Sequence, residues 1–256
     1  VNRLEQAARR KGGPLLTVSV QRHNPMYVEM VARIGYDVLW IEMEHVTVTF
    51  AEATDMCALA QAMGMLVLIR VPNASRDNVL RAAECGPDVI DVPMVNSTEP
   101  ARELVRHARF GPQGERGHYG SSRAFRYALF DSLVAEHERV NDEICLMAQI
   151  ETLEAVEAAE DIAQVPGLDA LFVGRGDLSS SLGVPGNLTH PKVEEMTDRT
   201  LAVAARYGKL TGVPGKTSEY LLWRDKGVTL LLCGSDVAAL KTGLQAMMDD
   251  YLKALS

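Results

Sequence analysis

Charged and polar side chains follow several short apolar runs in this chain of 256 residues, and their types could carry out chemistry. Glu42, Glu44 and His45 close one run, Arg70 closes the next, and Asp91 lies in the run after that. Charged side chains are seldom buried without partners, so a group of them at neighbouring run ends is a candidate site. The other candidates at such positions are Gln21, Arg22, His23, Glu84, Gln149, Glu151 and Asp177.

Two carboxylates and an amide fall at the ends of two consecutive runs. Glu151 and Asp177 are the carboxylates, and Gln149 lies two residues before the first of them. Oxygen ligands of this kind suit Mg²⁺ or Mn²⁺ and leave coordination positions open for substrate and water. Each carboxylate also precedes a helix-like segment, so capping of a helix N-terminus is the structural alternative for both.

An imidazole and a guanidinium accompany these carboxylates. His45 could act as a general base, and Arg70 could place a fixed positive charge beside a developing oxyanion. With an open divalent site as Lewis acid, these groups could remove a proton from the carbon next to a carbonyl group. The structural alternatives are an ion pair for Arg70 and an ordinary turn for His45.

Eight short runs rich in Val, Ile and Leu are the elements that must position these residues. They begin at Leu15, Val38, Leu66, Val89, Cys145, Ala170, Leu210 and Thr229. Continuous apolar runs are typical of strands buried on both faces. The spacing between them predicts helices over residues 49–63, 75–85, 99–110, 152–164 and 235–255. Eight strands alternating with helices predict an α/β fold, a (β/α)8 TIM barrel, with a doubly wound open sheet as the alternative.

Loops that follow the strands of such a barrel gather at its carboxyl face, where active sites lie. Residues 95–144 and 175–209 form the two longest connections, and each contains a polar, Gly-rich stretch. We therefore expect both connections to contribute loops at the active face. No repeat or linker interrupts the chain, so the sequence predicts one domain over residues 1–256.

The composition is that of a soluble globular protein, with 47% hydrophobic and 23% charged residues. The formal net charge of −8 argues against nucleic acid or an anionic membrane as a partner, because either would need a basic surface. Residues 56–69, the longest largely apolar and uncharged run, are too few to span a membrane. The N-terminus has no apolar signal segment and the four cysteines form no C-x-x-C pair, so we expect free thiols and a cytoplasmic location.

Six segments together resemble the HpcH/HpaI family of class II, metal-dependent pyruvate aldolases. They read LWIEMEH from Leu39, LIRVP from Leu68, VIDVPMV from Val89, MAQIET from Met147, LDALFVGRGDLSSSLG from Leu168 and TLLLCGSDVAALKTGL from Thr229. Their order and spacing match the family over nearly the whole chain. The paired MAQIET and FVGRGDLS blocks are the most specific part.

The resemblance implies a catalytic set. Glu151 and Asp177 are similar to the family's ligands for Mg²⁺, Mn²⁺ or Co²⁺, and Gln149 to the glutamine that holds a metal-bound water or the substrate. Arg70 resembles the arginine that polarises the ketone, and His45 resembles the base. The carboxylate partner of that base would be Glu42 or Glu84, each standing where the family usually has Asp.

The resemblance also implies the reaction and the substrate contacts. A 4-hydroxy-2-oxo acid would be cleaved reversibly to pyruvate and an aldehyde, and the backbone N–H groups of Gly176 and Asp177 would bind the pyruvate carboxylate. Arg175 replaces a proline common in the family and adds a cation near the substrate. Ser122, Arg123 and His23 complete the expected substrate-binding set.

The last predicted helix carries an apolar stripe of Val237, Leu240, Leu244, Met247, Met248, Tyr251 and Leu255. The stripe could pack on its own barrel. Family members that the chain resembles exchange this helix between subunits and form hexamers as trimers of dimers, so we expect a homo-oligomer.

Other functions are compatible with parts of the pattern. A class I aldolase needs a lysine on a strand to form a Schiff base, and none of the predicted strands contains one. A related metal-dependent lyase acting on an acyl-CoA or on an oxaloacetate-type substrate could share the carboxylate pair. The glycines of residues 212–215 and 233–236 could bind a phosphate or form plain turns. A barrel that only binds a ligand is the non-enzyme alternative.

Overall fold

The centre of the molecule is a closed barrel of eight parallel strands, seen in a computed structural model that describes residues 1–255. The strands are β1 Leu15–Val20, β2 Val38–Glu42, β3 Leu66–Arg70, β4 Val89–Val92, β5 Cys145–Ile150, β6 Ala170–Val173, β7 Leu210–Pro214 and β8 Leu230–Ser235. Each strand pairs in parallel with the next, and β8 pairs with β1. The predicted (β/α)8 barrel is confirmed, and the open sheet is wrong.

Helices surround the barrel and connect its strands. They are α1 Arg3–Lys11, α2 Pro25–Ile34, α3 Phe50–Ala62, α4 Arg76–Glu84, α5 Thr98–Ala108, α6 Leu133–Glu143, α7 Leu153–Ala163, α8 Arg175–Ser181, α9 Pro191–Arg206, α10 Tyr220–Asp225 and α11 Asp236–Leu255. The five predicted helices correspond to α3, α4, α5, α7 and α11, with ends that agree closely.

The core has two layers because every strand is buried on both faces. Side chains that point into the barrel form one cluster, in which Trp40 and Phe172 meet edge to face with ring centroids 4.9 Å apart. Leu4 of α1 joins this cluster and is fully buried. A larger apolar cluster fills the space between strands and helices.

The barrel register brings three charged residues side by side. Glu42 of β2 is the neighbour of Arg70 on β3, and Arg70 is the neighbour of Asp91 on β4. All three lie at the carboxyl ends of their strands, beyond the apolar layer of Trp40 and Leu68. The fold therefore places the predicted run-end residues around one opening.

The expectation that residues 95–144 contribute a loop to the active face is wrong. α5 begins soon after β4 and carries the chain back to the amino side of the barrel, so the long irregular stretch of residues 109–132 lies there. A cavity of about 390 Å³ on that side is lined by Arg123 and Tyr127 together with Asp88 and Ile144, which directly precede β4 and β5. The connection of residues 175–209 does begin at the carboxyl side, because α8 follows β6 immediately.

α11 contacts the barrel mainly through its start, near β1 and β8. The side chains of its apolar stripe are exposed, including Leu240, Leu244 and Met247 at 64%, 58% and 72%. Among residues 1–255, no helix combines the length and apolar character needed to cross a membrane.

Candidate active site

A cavity of about 360 Å³ opens at the carboxyl ends of the strands. Trp40, Phe172 and Leu232 form an apolar part of its wall, and Glu42, Arg70, Gln149 and Asp177 are among its polar lining residues. Parallel strands end together at this face, so residues far apart in sequence share one cavity. This cavity is therefore the candidate active site.

Glu42 holds Arg70 in place. Arg70 donates from Nε and Nη2 to the same oxygen of Glu42, Oε2, at 2.7 and 2.6 Å. The indole N–H of Trp40 donates to that oxygen at 3.3 Å. The other oxygen of Glu42 accepts from the backbone N–H groups of Glu44 and His45 at 2.8 and 3.3 Å. Glu42 therefore orients both the guanidinium and the turn that carries His45.

Glu44 is the carboxylate that contacts the His45 ring. Its Oε2 lies 3.2 Å from His45 Nε2 and 3.3 Å from Arg70 Nη1. Burial raises the pKa of Glu44, the positive charge of Arg70 opposes this, and the charges of Glu42 and Asp177 raise the pKa further. The imidazole itself is largely exposed, at 64% of its side-chain surface. Neither predicted partner, Glu42 or Glu84, contacts the ring.

Glu151 is buried at the end of β5 and fixed from two sides. Its Oε1 accepts from the backbone N–H of Met94 at 2.6 Å, and its Oε2 accepts from Gln149 Nε2. Gly174 permits this position, because a Cβ there would lie 2.4 Å from Glu151 Oε2. Thr152, not Glu151, is the N-cap of α7, so the capping alternative does not apply to Glu151.

Asp177 faces this cavity from the first turn of α8, and its side chain is exposed. Burial raises the pKa of Glu151 to about 7, hydrogen bonds from Gln149 and Met94 oppose this, and the charges of Asp177 and Glu44 raise the pKa further. Gly174 is the N-cap residue of α8, so Asp177 is not its cap. The two carboxylates thus repel each other across a gap that a cation would neutralise.

The donor set of this gap fits a hard divalent cation. Glu151 and Asp177 offer carboxylate oxygens, the ligands that Mg²⁺ and Mn²⁺ prefer. Within residues 1–255, no group of three or more His, Cys, Asp and Glu side chains is arranged to hold a metal ion. Two protein carboxylates leave coordination positions open, as a catalytic site for a substrate chelate requires.

Three predicted site residues lie on the amino side of the barrel instead. Glu84 ends α4 and accepts from Arg116 Nη2 at 2.9 Å. Arg123 donates to the carbonyl of Cys85 at 3.0 Å and to the side chain of Gln61 at 2.6 Å. Ser122 directly precedes Arg123 in the same stretch. α4 and α5 place all three away from the cavity of the same chain, so their role as site residues stays a prediction.

Two further predicted residues, Arg175 and His23, follow strands at the carboxyl side, but the contacts of their side chains point elsewhere. Arg175 lines the cavity through its buried position in α8, but its Nη2 donates to the carbonyl of Leu188 at 2.6 Å. Its guanidinium lies over the ring of Trp223, 5.1 Å from the centroid. His23 follows β1 and lies 3.9 Å from Asp55 of α3. Neither side chain is aimed at the carboxylate pair.

Sequence reasoning did not assign roles to Glu44 and Asp91, although both are run-end residues. The signal that could have found Glu44 is its position next to His45, where a turn brings adjacent side chains together. Asp91 shares a face with Val89 and lies in register with Arg70, so the period of two along β4 could have placed it inside the barrel.

The chain is similar in sequence and fold to known proteins. The family model described as HpcH/HpaI aldolase/citrate lyase matches residues 17–240. The chain is 34% identical over 213 residues to 2-dehydro-3,6-dideoxy-6-sulfogluconate aldolase of Pseudomonas putida, which covers 82% of each chain. It is 30% identical over 232 residues to 2-keto-3-deoxy-L-rhamnonate aldolase of Escherichia coli K12, covering 89% of this chain and 85% of the relative. The crystal structure of an HpcH/HpaI aldolase from Desulfitobacterium hafniense superposes with a TM-score of 0.89 at 32% identity, covering 96% of this chain and 95% of that one.

Proposed function

The chain belongs to the HpcH/HpaI aldolase/citrate lyase family, and from this premise we propose that it is a class II pyruvate aldolase. It cleaves 4-hydroxy-2-oxo acids reversibly to pyruvate and an aldehyde, with a divalent cation as cofactor. The observation that carries the proposal is the cavity in which Arg70 and His45 face Asp177 and the neighbouring Glu151. A base, a fixed cation and a pair of carboxylates there serve one reaction, the formation of an enolate.

Glu151 and Asp177 hold the cation, which is Mg²⁺ or Mn²⁺, with Co²⁺ as a further candidate. When bound, the metal ion supplies Lewis-acid chemistry that makes the protons next to the ketone more acidic. Gln149 keeps Glu151 in position through its Nε2 hydrogen bond. The buried environment of Glu151 strengthens its attraction for a cation, because charges interact more strongly in a low-dielectric interior than in water.

His45 moves the proton. In the cleavage direction it removes the proton of the 4-hydroxyl group and delivers it to C3 of the pyruvate enolate; in the reverse direction it takes a C3 proton from pyruvate and returns it to the new alkoxide. Glu44 stabilises the imidazolium that forms, since its carboxylate lies 3.2 Å from Nε2. Arg70 places its charge at the oxygen of the developing enolate, and Glu42 keeps the guanidinium from rotating.

Pyruvate fills the inner part of the cavity, between Arg70, Gln149 and the segment of Gly176 and Asp177. A cavity of about 360 Å³ leaves room for a short hydroxylated aldehyde beyond it. The relatives named as aldolases of deoxy sugar acids support a sugar-acid substrate. Arg175 lines this space and His23 follows β1, and both would contact the tail of the aldehyde.

A second function is favoured by the family description, which also names citrate lyase. A lyase acting on an oxaloacetate-type or acyl-CoA substrate could use the same carboxylates and the same Arg70. Such a substrate carries additional negative charge, whereas Glu42, Glu44 and Asp177 make the cavity acidic. The aldolase is therefore the preferred proposal.

An assay for released pyruvate tests the reaction. The purified protein with Mg²⁺ or Mn²⁺ is given a panel of 4-hydroxy-2-oxo acids derived from sugar acids, and pyruvate is measured with a coupled dehydrogenase. We expect turnover for at least one straight-chain hydroxylated member. Turnover of citrate or a citryl thioester, with none of the panel cleaved, would favour the alternative.

We also propose that the protein is a homo-oligomer, with the hexamer built as a trimer of dimers as the expected form. The exposed stripe of α11 supports this, because large apolar patches on a surface are commonly interfaces. The four free cysteines fit a reducing compartment, in line with the predicted cytoplasmic location.

A further inference from the structure

Asp91 is a buried carboxyl group without a partner. It lies on β4, its side chain points into the barrel, and it is fully buried. Neither of its carboxyl oxygens has a hydrogen-bond partner among the described residues. A buried polar group without a partner is costly, so this group calls for a physical explanation.

Gln149 contains a second buried acceptor of the same kind. Its Oε1 also has no hydrogen-bond partner in the part of the chain that the structure describes. Asp91 is in register with Met147, and Gln149 follows two residues later on β5. The side chains at 91, 147 and 149 share the inner face, so the two unpartnered groups occupy neighbouring inward positions on adjacent strands.

Donors near these two groups are directed elsewhere. The indole N–H of Trp40 donates to Glu42, and Arg70 donates to Glu42 and lies against Glu44. The Nε2 of Gln149 donates to Glu151. A protonated carboxyl group provides one O–H donor, so a proton on Asp91 would supply what Gln149 Oε1 lacks.

The surroundings of Asp91 favour its protonated form. Burial raises the pKa of Asp91 well above its ordinary value, and the charge of Arg70 opposes this. The carboxyl groups of Glu151, Glu42 and Glu44 raise the pKa further. A protonated Asp91 also agrees with the hydrogen bonds of the site, because Gln149 Oε1 is a buried acceptor without a donor.

We propose that Asp91 is a positioning residue: as a neutral carboxylic acid it donates a hydrogen bond to Gln149 Oε1 and fixes the carboxamide that holds Glu151. Asp91 touches neither substrate nor metal and acts through Gln149. The inference rests on the proposed function in one respect, the assignment of Glu151 as a metal ligand. Groups that orient metal ligands commonly change metal affinity by about 10- to 100-fold when they are removed.

Two substitutions at this position separate a donor from a charge. Asp91→Asn keeps a hydrogen-bond donor without any charge, and Asp91→Leu removes the donor while it keeps the branched shape of the side chain. Binding of Mn²⁺ is measured by the electron paramagnetic resonance of the free ion. We expect Asp91→Leu to weaken binding at least about tenfold, and Asp91→Asn to stay within about threefold of the wild type.

A double variant tests whether Asp91 acts on Glu151 through Gln149. In a Gln149→Leu background, Asp91→Leu should cause no further loss of Mn²⁺ affinity, because the acceptor is already gone. Equal losses for Asp91→Asn and Asp91→Leu would show that a charged carboxylate is what matters and would overturn the inference. An additive loss in the double variant would overturn it as well.

Infrared spectroscopy gives a readout that needs neither metal nor turnover. The difference spectrum between wild type and Asp91→Asn at neutral pH should contain the C=O stretching band of a protonated carboxylic acid. Its absence would contradict a neutral Asp91, even if Asp91→Leu fails to fold. If the band is present but the protein cleaves no hydroxy-oxo acid, the proposed function fails while the neutral state of Asp91 stands.

Discussion

Glu42 and Glu44 have different tasks although one residue separates them. Glu42 is buried and binds Arg70, Trp40 and two backbone N–H groups, so its oxygens are fully used. Glu44 lies past the end of β2, where the chain turns, and its carboxylate reaches His45. The first holds the architecture of the site, and the second is free to respond to charge on the imidazole.

The assignment of His45 and Glu44 gives a testable order of effects. His45→Ala should slow aldol turnover by about 10²- to 10⁴-fold, the usual loss for a general base. Glu44→Gln should slow it by a smaller factor, because it removes the charge that stabilises the imidazolium. The matched control is Glu84→Gln, which lies on the amino side and should retain wild-type turnover. Turnover is measured by steady-state kinetics. An equal loss of turnover in Glu84→Gln and Glu44→Gln would contradict Glu44 as the partner of His45.

Removal of either proposed metal ligand should cost both metal and activity. Glu151→Gln and Asp177→Asn are close in shape to the wild type, so the fold should be retained while Mn²⁺ affinity and turnover are lost. Glu154→Gln, an exposed carboxylate in the first turn of α7, is the control. Calorimetry with Mn²⁺ measures the binding, and unchanged affinity in both ligand variants would mean that the ligands lie elsewhere.

Residue types were predictable from sequence, but their partners were not. Their positions at the ends of apolar runs predicted Glu42, Arg70, Gln149, Glu151 and Asp177 as site residues. The fold brings all five to one end of the barrel. The sequence could not identify the partner of His45, because that choice depends on the turn after β2. It also could not show that Arg175 turns towards Leu188 and Trp223, since this depends on packing between α8 and later segments.

At the scale of elements, the direct passage from β6 into α8 forms the side of the cavity where the proposed metal ligands lie. Gly174 links the two elements, and its missing Cβ leaves space for the Glu151 carboxylate and the Gln149 amide. A side chain there would compete with Glu151 for the same volume. The joint is therefore as important to the site as the ligands themselves.

A methyl group at this joint should displace the ligand. In Gly174→Ala the new Cβ would lie 2.4 Å from Glu151 Oε2 and 2.7 Å from its Cβ, so the carboxylate must move. We expect at least about a tenfold loss of Mn²⁺ affinity, comparable to the loss of a group that orients a ligand. Gly234→Ala in β8, where nothing lies within 4 Å of the added Cβ, is the control. Retained affinity in Gly174→Ala would show that Glu151 does not depend on this space.

Strand and helix positions followed from apolar runs and spacing, because both faces of every strand are buried. The position of residues 109–132 did not follow, because the length of a connection does not tell on which side of the barrel its irregular part lies. α5 decides this by returning the chain to the amino side before the stretch begins. That error also misplaced Ser122 and Arg123.

At the scale of the whole molecule, α11 leaves an apolar face exposed. Leu240, Leu244, Met247 and Tyr251 are largely exposed on this helix. Apolar side chains exposed along one helix are stabilised when a partner covers them. The predicted apolar stripe is present, whereas its partner stays a prediction.

A charge within the stripe should break the assembly. Leu244→Glu would bury a carboxylate in the interface, so we expect a smaller particle than the wild type forms. Gln245→Glu introduces the same carboxylate at the next position along the helix and should keep the wild-type mass. Size-exclusion chromatography with light scattering measures both. A wild-type protein that runs as a monomer would remove the basis for the proposed oligomer.

Part of the negative charge behind the net charge of −8 lies at the candidate active site. Glu42, Glu44, Asp91, Glu151 and Asp177 lie in or beside one cavity, and Arg70 is the cation that pairs with Glu42 and Glu44. A divalent cation would neutralise part of this charge and bring an anionic substrate into an otherwise repulsive space.

Exchange of the methyl protons of pyruvate with deuterium tests the central claim most directly, because it follows enolate formation without any aldehyde. The protein is stripped with a chelator, and exchange is followed by nuclear magnetic resonance before and after Mg²⁺, Mn²⁺ or Co²⁺ is restored. We predict no enzymatic exchange without metal and recovery of exchange on its return. Exchange that continues at full rate in the fully stripped protein would contradict a metal-dependent pyruvate aldolase.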